Sequence, residues 1–188
     1  MKNIKQYLDL LMEEGLVVSY NLYQKAKSPI YHMTYGSGDA KEDTLFLCKG
    51  AAFKKDYLLE ALQRGAVAYV SEQYYGTEEE VPYIRVKSMR KAMPVLAKAF
   101  YGNPDEELFL TGVTGTKGKT TTVYYIRAIM DEYLRAKQEK ASGLISTIET
   151  CDGMSCEESK LTTPESPELF RHLKNAVDAG ISHMTMEV

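Results

Sequence analysis

The chain has 188 residues, enough for one large or two small domains, and its 44% hydrophobic and 26% charged residues match an ordinary soluble globular protein. A net charge of −3 gives no reason to expect nucleic acid or another polyanion as partner. No apolar run approaches the roughly 20 residues that span a bilayer. The start, MKNIKQYLDLLMEEG, has no small-residue cleavage site, so neither membrane insertion nor export is expected and the cytoplasm is the expected location.

In chain order, residues 3–14 carry Ile4, Tyr7, Leu8, Leu11 and Met12 at helical spacing. IYHMTYGSG (30–38) reads as a strand running into a tight turn, and TLFLCKG (44–50) as a second strand. KDYLLEALQRG (55–65) is an amphipathic helix closed by Gly65, followed by strands at 66–72 and 82–86. SMRKAMPVLAKAFYG (88–102) puts Met89, Met93, Leu96 and Phe100 on one face, with Ser88 as a candidate cap. Pro94 predicts a kink or a late start. After the turn NPDEE (103–107), a strand at 107–113 enters a glycine loop, and a helix at 119–137 carries the stripe Val123, Ile126, Met130 and Tyr133. ASGLISTIE (141–149) reads as a strand, and residues 150–163 as a hairpin with an Asp-Gly turn. Residues 166–180 read as a helix with Ser166 as cap, Pro167 in the first turn and Gly180 past the end. A final strand covers 182–188.

Strands alternating with helices predict an α/β fold in two parts. The boundary is placed near residue 87, giving an α/β domain over 1–87 and the first half of a parallel-sheet phosphate-loop domain over 88–188. That second part ends on a strand with no helix after it, which reads as truncation. Cys48, Cys151 and Cys156 are an odd count without paired spacing and read as reduced thiols. With His32, His172 and His183 scattered, they offer no metal motif. Nothing in the sequence speaks to the oligomeric state.

The chemistry concentrates in GVTGTKGKTT (112–121). A phosphate loop needs inward N–H groups, small residues and a helix N-terminus behind them, with a lysine for the β- and γ-phosphates and a hydroxyl for Mg²⁺. Gly115, Thr116, Lys117 and Gly118 would form the cradle, Lys119 the clamp and Thr120 the magnesium hydroxyl, while Thr121 could bond a neighbouring phosphate. The strict G-x-x-x-x-G-K-[ST] spacing is not met, because its first glycine falls on Val113 and Gly112 lies one position early. A plain glycine-rich βα turn would not account for Gly-Lys-Thr at a helix start.

That variant loop resembles the ATP site of the Mur ligases, which make peptidoglycan precursors. TLFLCKGAAFKKDYLLEALQRGAVAYVSE (44–72) is similar to the uridine-nucleotide domain of the members that add the third amino acid of the peptide stem. FYGNP (100–104), LTTPES (161–166) and MEV (186–188) follow in the family's order. The resemblance implies an N-terminal UDP-binding domain and part of a central ATPase, with ATP and Mg²⁺ required. The reaction implied joins a free amino acid to the D-glutamate of UDP-MurNAc-L-Ala-D-Glu through an acyl phosphate. The wording is most similar to the lysine-adding form; the diaminopimelate-adding form and a non-catalytic UDP-sugar- or ATP-binding paralogue are the alternatives. By this resemblance, Gly115 to Thr121 hold ATP with Lys119 catalytic, Thr120 and Glu187 serve Mg²⁺, and Ser37, Thr162 and Thr163 contact the UDP-sugar peptide. Such a chain is expected to be inactive alone. Gly36-Ser37-Gly38 departs from the family's Asp-Ser-Arg; a bare glycine turn is the other reading of it. Tyr35, Lys49 and Phe53 read either as uracil-site lining or as plain surface and core.

Overall fold

The computed structural model describes residues 2–50, 52–77 and 80–188. They form two compact units, Met1–Phe100 and Tyr101–Val188. The first runs α1 (Ile4–Glu13), β1 (Val17–Asn21), β2 (His32–Thr34), β3 (Thr44–Leu47), α2 (Lys55–Gln63), β4 (Ala66–Ser71), β5 (Tyr83–Val86) and α3 (Met89–Phe100). Its five strands lie in the order β1-β5-β4-β3-β2, parallel except where β1 runs against β5. Strand β3 is buried on both faces, so it is apolar throughout rather than alternating. Leu45 and Leu47 pack under α1 and α3, while Phe46 packs under α2. Strand β1 is a half-buried edge strand whose weak alternation leaves it unmarked in the sequence.

Helix α1 begins at a reciprocal cap: Gln6 N donates to Asn3 Oδ1 at 3.0 Å, and Asn3 N to Gln6 Oε1 at 2.9 Å. Helix α3 runs through Pro94 without the expected late start. Its first amide, Met89 N, donates to Glu72 Oε1 at 2.6 Å. Met89, Ala92, Met93, Leu96 and Ala99 are buried in the core shared with α1. That packing assigns α3 to the first unit, so the compact units divide after Phe100 rather than near residue 87.

The second unit runs β6 (Phe109–Val113), α4 (Lys119–Ala136), β7 (Gly143–Ile145), β8 (Glu149–Cys151), β9 (Cys156–Glu158), α5 (Ser166–Asp178) and β10 (His183–Glu187). The strand order is β6-β10-β7-β8-β9. Strand β10 is parallel to both neighbours, and β8 and β9 are antiparallel additions, so both sheets of this α/β protein are mixed. The run 141–149 breaks at Ser146, whose hydroxyl accepts from Ile148 N and Glu149 N and so closes a turn between β7 and β8. Helix α5 starts at Ser166, with Glu165 rather than Ser166 in the cap position and no side-chain cap bond. On α4 the buried side chains are Val123 and Leu134, whereas Tyr133 of the expected stripe is half exposed.

Cys151 and Cys156, expected as separate thiols, face each other across the β8–β9 ladder and are joined by a disulfide; Cys48 is free and buried. At the tip of that hairpin the fully buried Asp152 is the hub of a polar cluster. Its Oδ2 accepts from His172 Nδ1 and Asn175 Nδ2 of α5, each at 2.7 Å, and its Oδ1 from the amides of Met154 at 3.0 Å and Ser155 at 2.9 Å. Burial pushes the Asp152 carboxyl up, but the bonds from Asn175, His172, Ser155 and Met154 outweigh it and hold the group below its ordinary range. The unfolded chain therefore binds the proton more tightly, and this stabilisation is lost as pH falls through the region below about 4. Asp152→Asn is expected to destabilise the chain at pH 7 and to flatten its acid limb. Asp152→Ala, leaving several donors unpaired, is expected to cost about 3 kcal/mol; urea unfolding between pH 3 and pH 7 reads both.

Candidate functional site

Strand β6 delivers the chain to a loop over residues 114–118, and α4 leaves it at Lys119. Gly115 has φ of 153° and Gly118 φ of 78°, conformations that side-chain-bearing residues rarely adopt. These two positions turn the loop back over the N-terminus of α4. Lys119 Nζ donates to the Gly115 carbonyl at 2.8 Å and closes the turn. The first turn of α4 contains no acidic residue. The N–H groups of a helix's first turn, together with the helix dipole, favour an anion. Thr116, Lys117 and Thr121 are exposed around the loop.

Beside the loop stands Glu187, the last residue of β10 and only 1% exposed. An ionised carboxylate at that depth requires donors. Thr147 supplies two, its amide to Oε1 at 2.9 Å and its hydroxyl to Oε2 at 3.2 Å. Thr120 supplies a third, Oγ1 to Oε2 at 3.1 Å. The Thr147 hydroxyl also meets Thr162 Oγ1 at 3.2 Å, and Thr163 Oγ1 donates to the Glu187 backbone carbonyl at 3.1 Å. Thus Thr120, Glu187, Thr162 and Thr163, which are scattered over 68 positions of sequence, share one connected cluster at the C-terminal ends of β6, β7 and β10. The oxygens gathered there are hard donors of the kind magnesium prefers. Sequence patterning does not single out Thr147; its only signal is a Ser-Thr pair closing an apolar strand.

Ser37 belongs to the first unit. It opens a short 3-10 turn after β2 and donates its hydroxyl to Glu60 Oε2 of α2 at 2.6 Å. That bond, assisted by Arg64, holds the Glu60 carboxyl below its ordinary range against the opposing effect of desolvation. The Lys49 ammonium lies 5.0 Å from the centre of the Tyr35 ring, so these two residues meet beyond the C-terminal ends of β2 and β3. Phe53 instead packs with Phe46, Tyr57 and Tyr75, which makes it part of the α2-side core.

A strand, a loop with two left-handed-region glycines and a helix N-terminus at the C-terminal edge of a parallel sheet define the architecture by which α/β proteins hold nucleotides. Residues 113–188 match the Mur ligase middle domain. The chain is 41% identical over 194 residues to the UDP-N-acetylmuramoyl-L-alanyl-D-glutamate–L-lysine ligase of Streptococcus pneumoniae, an alignment covering 100% of this chain and 39% of that one. In fold it is similar to a UDP-N-acetylmuramoyl-L-alanyl-D-glutamate–2,6-diaminopimelate ligase, with a TM-score of 0.68 at 18% identity over 92% of this chain and 36% of the other. A second similar structure is the MurF ligase of Thermotoga maritima in complex with ADP, with a TM-score of 0.51 at 23% identity over 83% and 32% of the two chains. The chain belongs to the Mur ligase family. It spans 34% to 39% of the length of the curated relatives it matches.

Because the Thr147 hydroxyl and amide both serve one buried carboxylate, Thr147→Val is expected to cost about 1–2 kcal/mol in urea unfolding. Thr147→Ser, which keeps the hydroxyl, is expected to stay within about 0.5 kcal/mol of the parent.

Proposed function

We propose that this chain supplies the nucleotide-holding part and the UDP-binding part of an ATP-dependent ligase. The reaction joins L-lysine to the D-glutamate carboxylate of UDP-MurNAc-L-Ala-D-Glu. The observation that carries the reading is the contact of Thr120, at the start of α4, with the buried Glu187, directly beside the Gly115–Lys119 turn. The choice of lysine rests on the 41% identity to the streptococcal lysine ligase.

In this reading the amides from Gly115 to Thr121 hold the phosphates of ATP. Lys119 neutralises charge that develops on the γ-phosphoryl group as it passes to the substrate carboxylate. The acyl phosphate so formed is attacked by the lysine amine, and phosphate leaves. Thr120 and Glu187 fit Mg²⁺ by donor type, one hydroxyl and one carboxylate oxygen already 3.1 Å apart. When bound there, the ion would neutralise phosphate charge. Thr162 and Thr163 orient the sugar-peptide near the cluster. In the first unit Ser37 contacts the UDP moiety, its proton directed to Glu60 and its oxygen left to accept.

The test is an assay of the full-length protein with UDP-MurNAc-L-Ala-D-Glu, ATP and either lysine or diaminopimelate. Lysine-dependent ADP release is expected. Release with diaminopimelate alone would overturn the amino-acid assignment, and release with neither would overturn the ligase reading. Lys119→Ala is expected to lower turnover by about 10²- to 10³-fold with an unchanged melting temperature. Glu187→Gln is expected to raise the Mg²⁺ concentration needed for half-maximal rate.

A further inference from the structure

Away from the nucleotide loop, the β8–β9 hairpin carries a cluster that the proposed ligase chemistry does not use. Cys151 and Cys156 are directly opposed in the antiparallel ladder, with Cα atoms 4.0 Å apart. The Asp152 amide bonds the Ser155 carbonyl one step nearer the tip, so the cysteines occupy the narrow, non-hydrogen-bonded pair where side chains come closest. Strand β9 is the edge of the sheet and is exposed throughout, so Cys156 faces solvent, whereas Cys151 is 7% exposed.

Both sulfurs lie beside the Arg127–Glu149 ion pair, with a Glu149 carboxylate oxygen within 4.8 Å of each, and they differ in which polar atom is recorded against them. Arg127 Nη1, from α4, lies 3.8 Å from Cys151 Sγ. Glu149 Oε2 lies 3.5 Å from Cys156 Sγ, and Glu149 Oε1 receives Arg127 Nη1 at 3.1 Å and Tyr124 Oη at 3.0 Å. A guanidinium favours a thiolate on Cys151, and a carboxylate disfavours one on Cys156. The bond spans only five residues of a hairpin already held by its ladder and by Asp152, so closing it restricts the unfolded chain little.

We propose that Cys151 and Cys156 form a reversible dithiol–disulfide site that exchanges with low-molecular-weight thiols. Cys156 is the sulfur attacked and Cys151 the sulfur released. A soluble thiolate bonds to Cys156 Sγ, the Cys151–Cys156 bond breaks, and its electron pair leaves on Cys151, beside Arg127. A second thiolate attacks the outer sulfur of the mixed disulfide and releases Cys156. Both cysteine thiolates take protons from solvent. The protein gains two electrons, and two thiols become one soluble disulfide; the reverse sequence, driven by that disulfide, closes the bond.

The chain is equilibrated with reduced and oxidised glutathione at stepped ratios in EDTA, acid-quenched, and alkylated with iodoacetamide in denaturant. With three cysteines in the chain, intact mass is expected to pass from one adduct, on Cys48, to three in a single step as the buffer becomes reducing. Three adducts in the most oxidising buffer, or one in the most reducing, would overturn the proposal. Early quenching of the oxidised chain with reduced glutathione is expected to give a mixed disulfide that peptide mapping places on Cys156; a map to Cys151 would overturn the assignment of the sulfurs. Arg127→Gln is expected to slow reduction by glutathione about tenfold, and an unchanged rate would remove Arg127 from the exchange.

Discussion

The second unit is organised around one buried carboxylate. Glu187 lies at the end of a strand flanked on both sides by parallel partners, and its charge is tolerable there only because Thr147 and Thr120 donate to it. Those donors come from the turn after β7 and the first turn of α4. The charge requirement therefore ties together three segments that are far apart in sequence. Parallel pairing does the rest, since β6, β10 and β7 all end at the same edge, where the loop after β6 also turns. The phosphate-type turn and the oxygen cluster are neighbours because the same strand pairings place both.

The first unit repeats this logic with different residues. Beyond the parallel strands β2 and β3 lie Ser37, Tyr35 and Lys49, and α2 presents Glu60 to Ser37. Gly36 and Gly38 stand where the related Asp-Ser-Arg pattern has its aspartate and its arginine. The Glu60 carboxylate accepts the Ser37 hydroxyl and fixes the direction of its proton. A serine with its proton committed in this way presents its oxygen as an acceptor.

Much of the phosphate-type loop is legible in the amino-acid sequence. Gly115, Gly118, Lys119 and Thr120 are local signals, since backbone torsions and a helix start depend on adjacent residues. The helices at 4–13 and 55–63 are legible for the same reason, from spacing and caps. Other features are not. Thr147 looks like the interior of a strand over 141–149, because the bend there is made by the Ser146 side chain returning to its own backbone. The stripe expected on α4 includes Tyr133, which is half exposed, because periodicity locates an apolar face but not the sheet it meets. Sequence order groups α3 with the glycine loop, whereas its methionines are buried against α1.

By itself the sequence determined what near neighbours control: the alternation of strands and helices, the glycine turn before Lys119, the Asp-Gly hairpin and the family resemblance carried by contiguous motifs. Only the tertiary structure decided which distant groups share a site. Thr120, Thr147, Thr162 and Glu187 meet through strand order, which the pattern of any one segment does not encode. The pairing of Cys151 with Cys156 was decided by register, since a shift of one residue in β9 would send one sulfur to the opposite face of the sheet. The burial that makes the charges of Glu187 and Asp152 matter arises only when whole elements pack and exclude water.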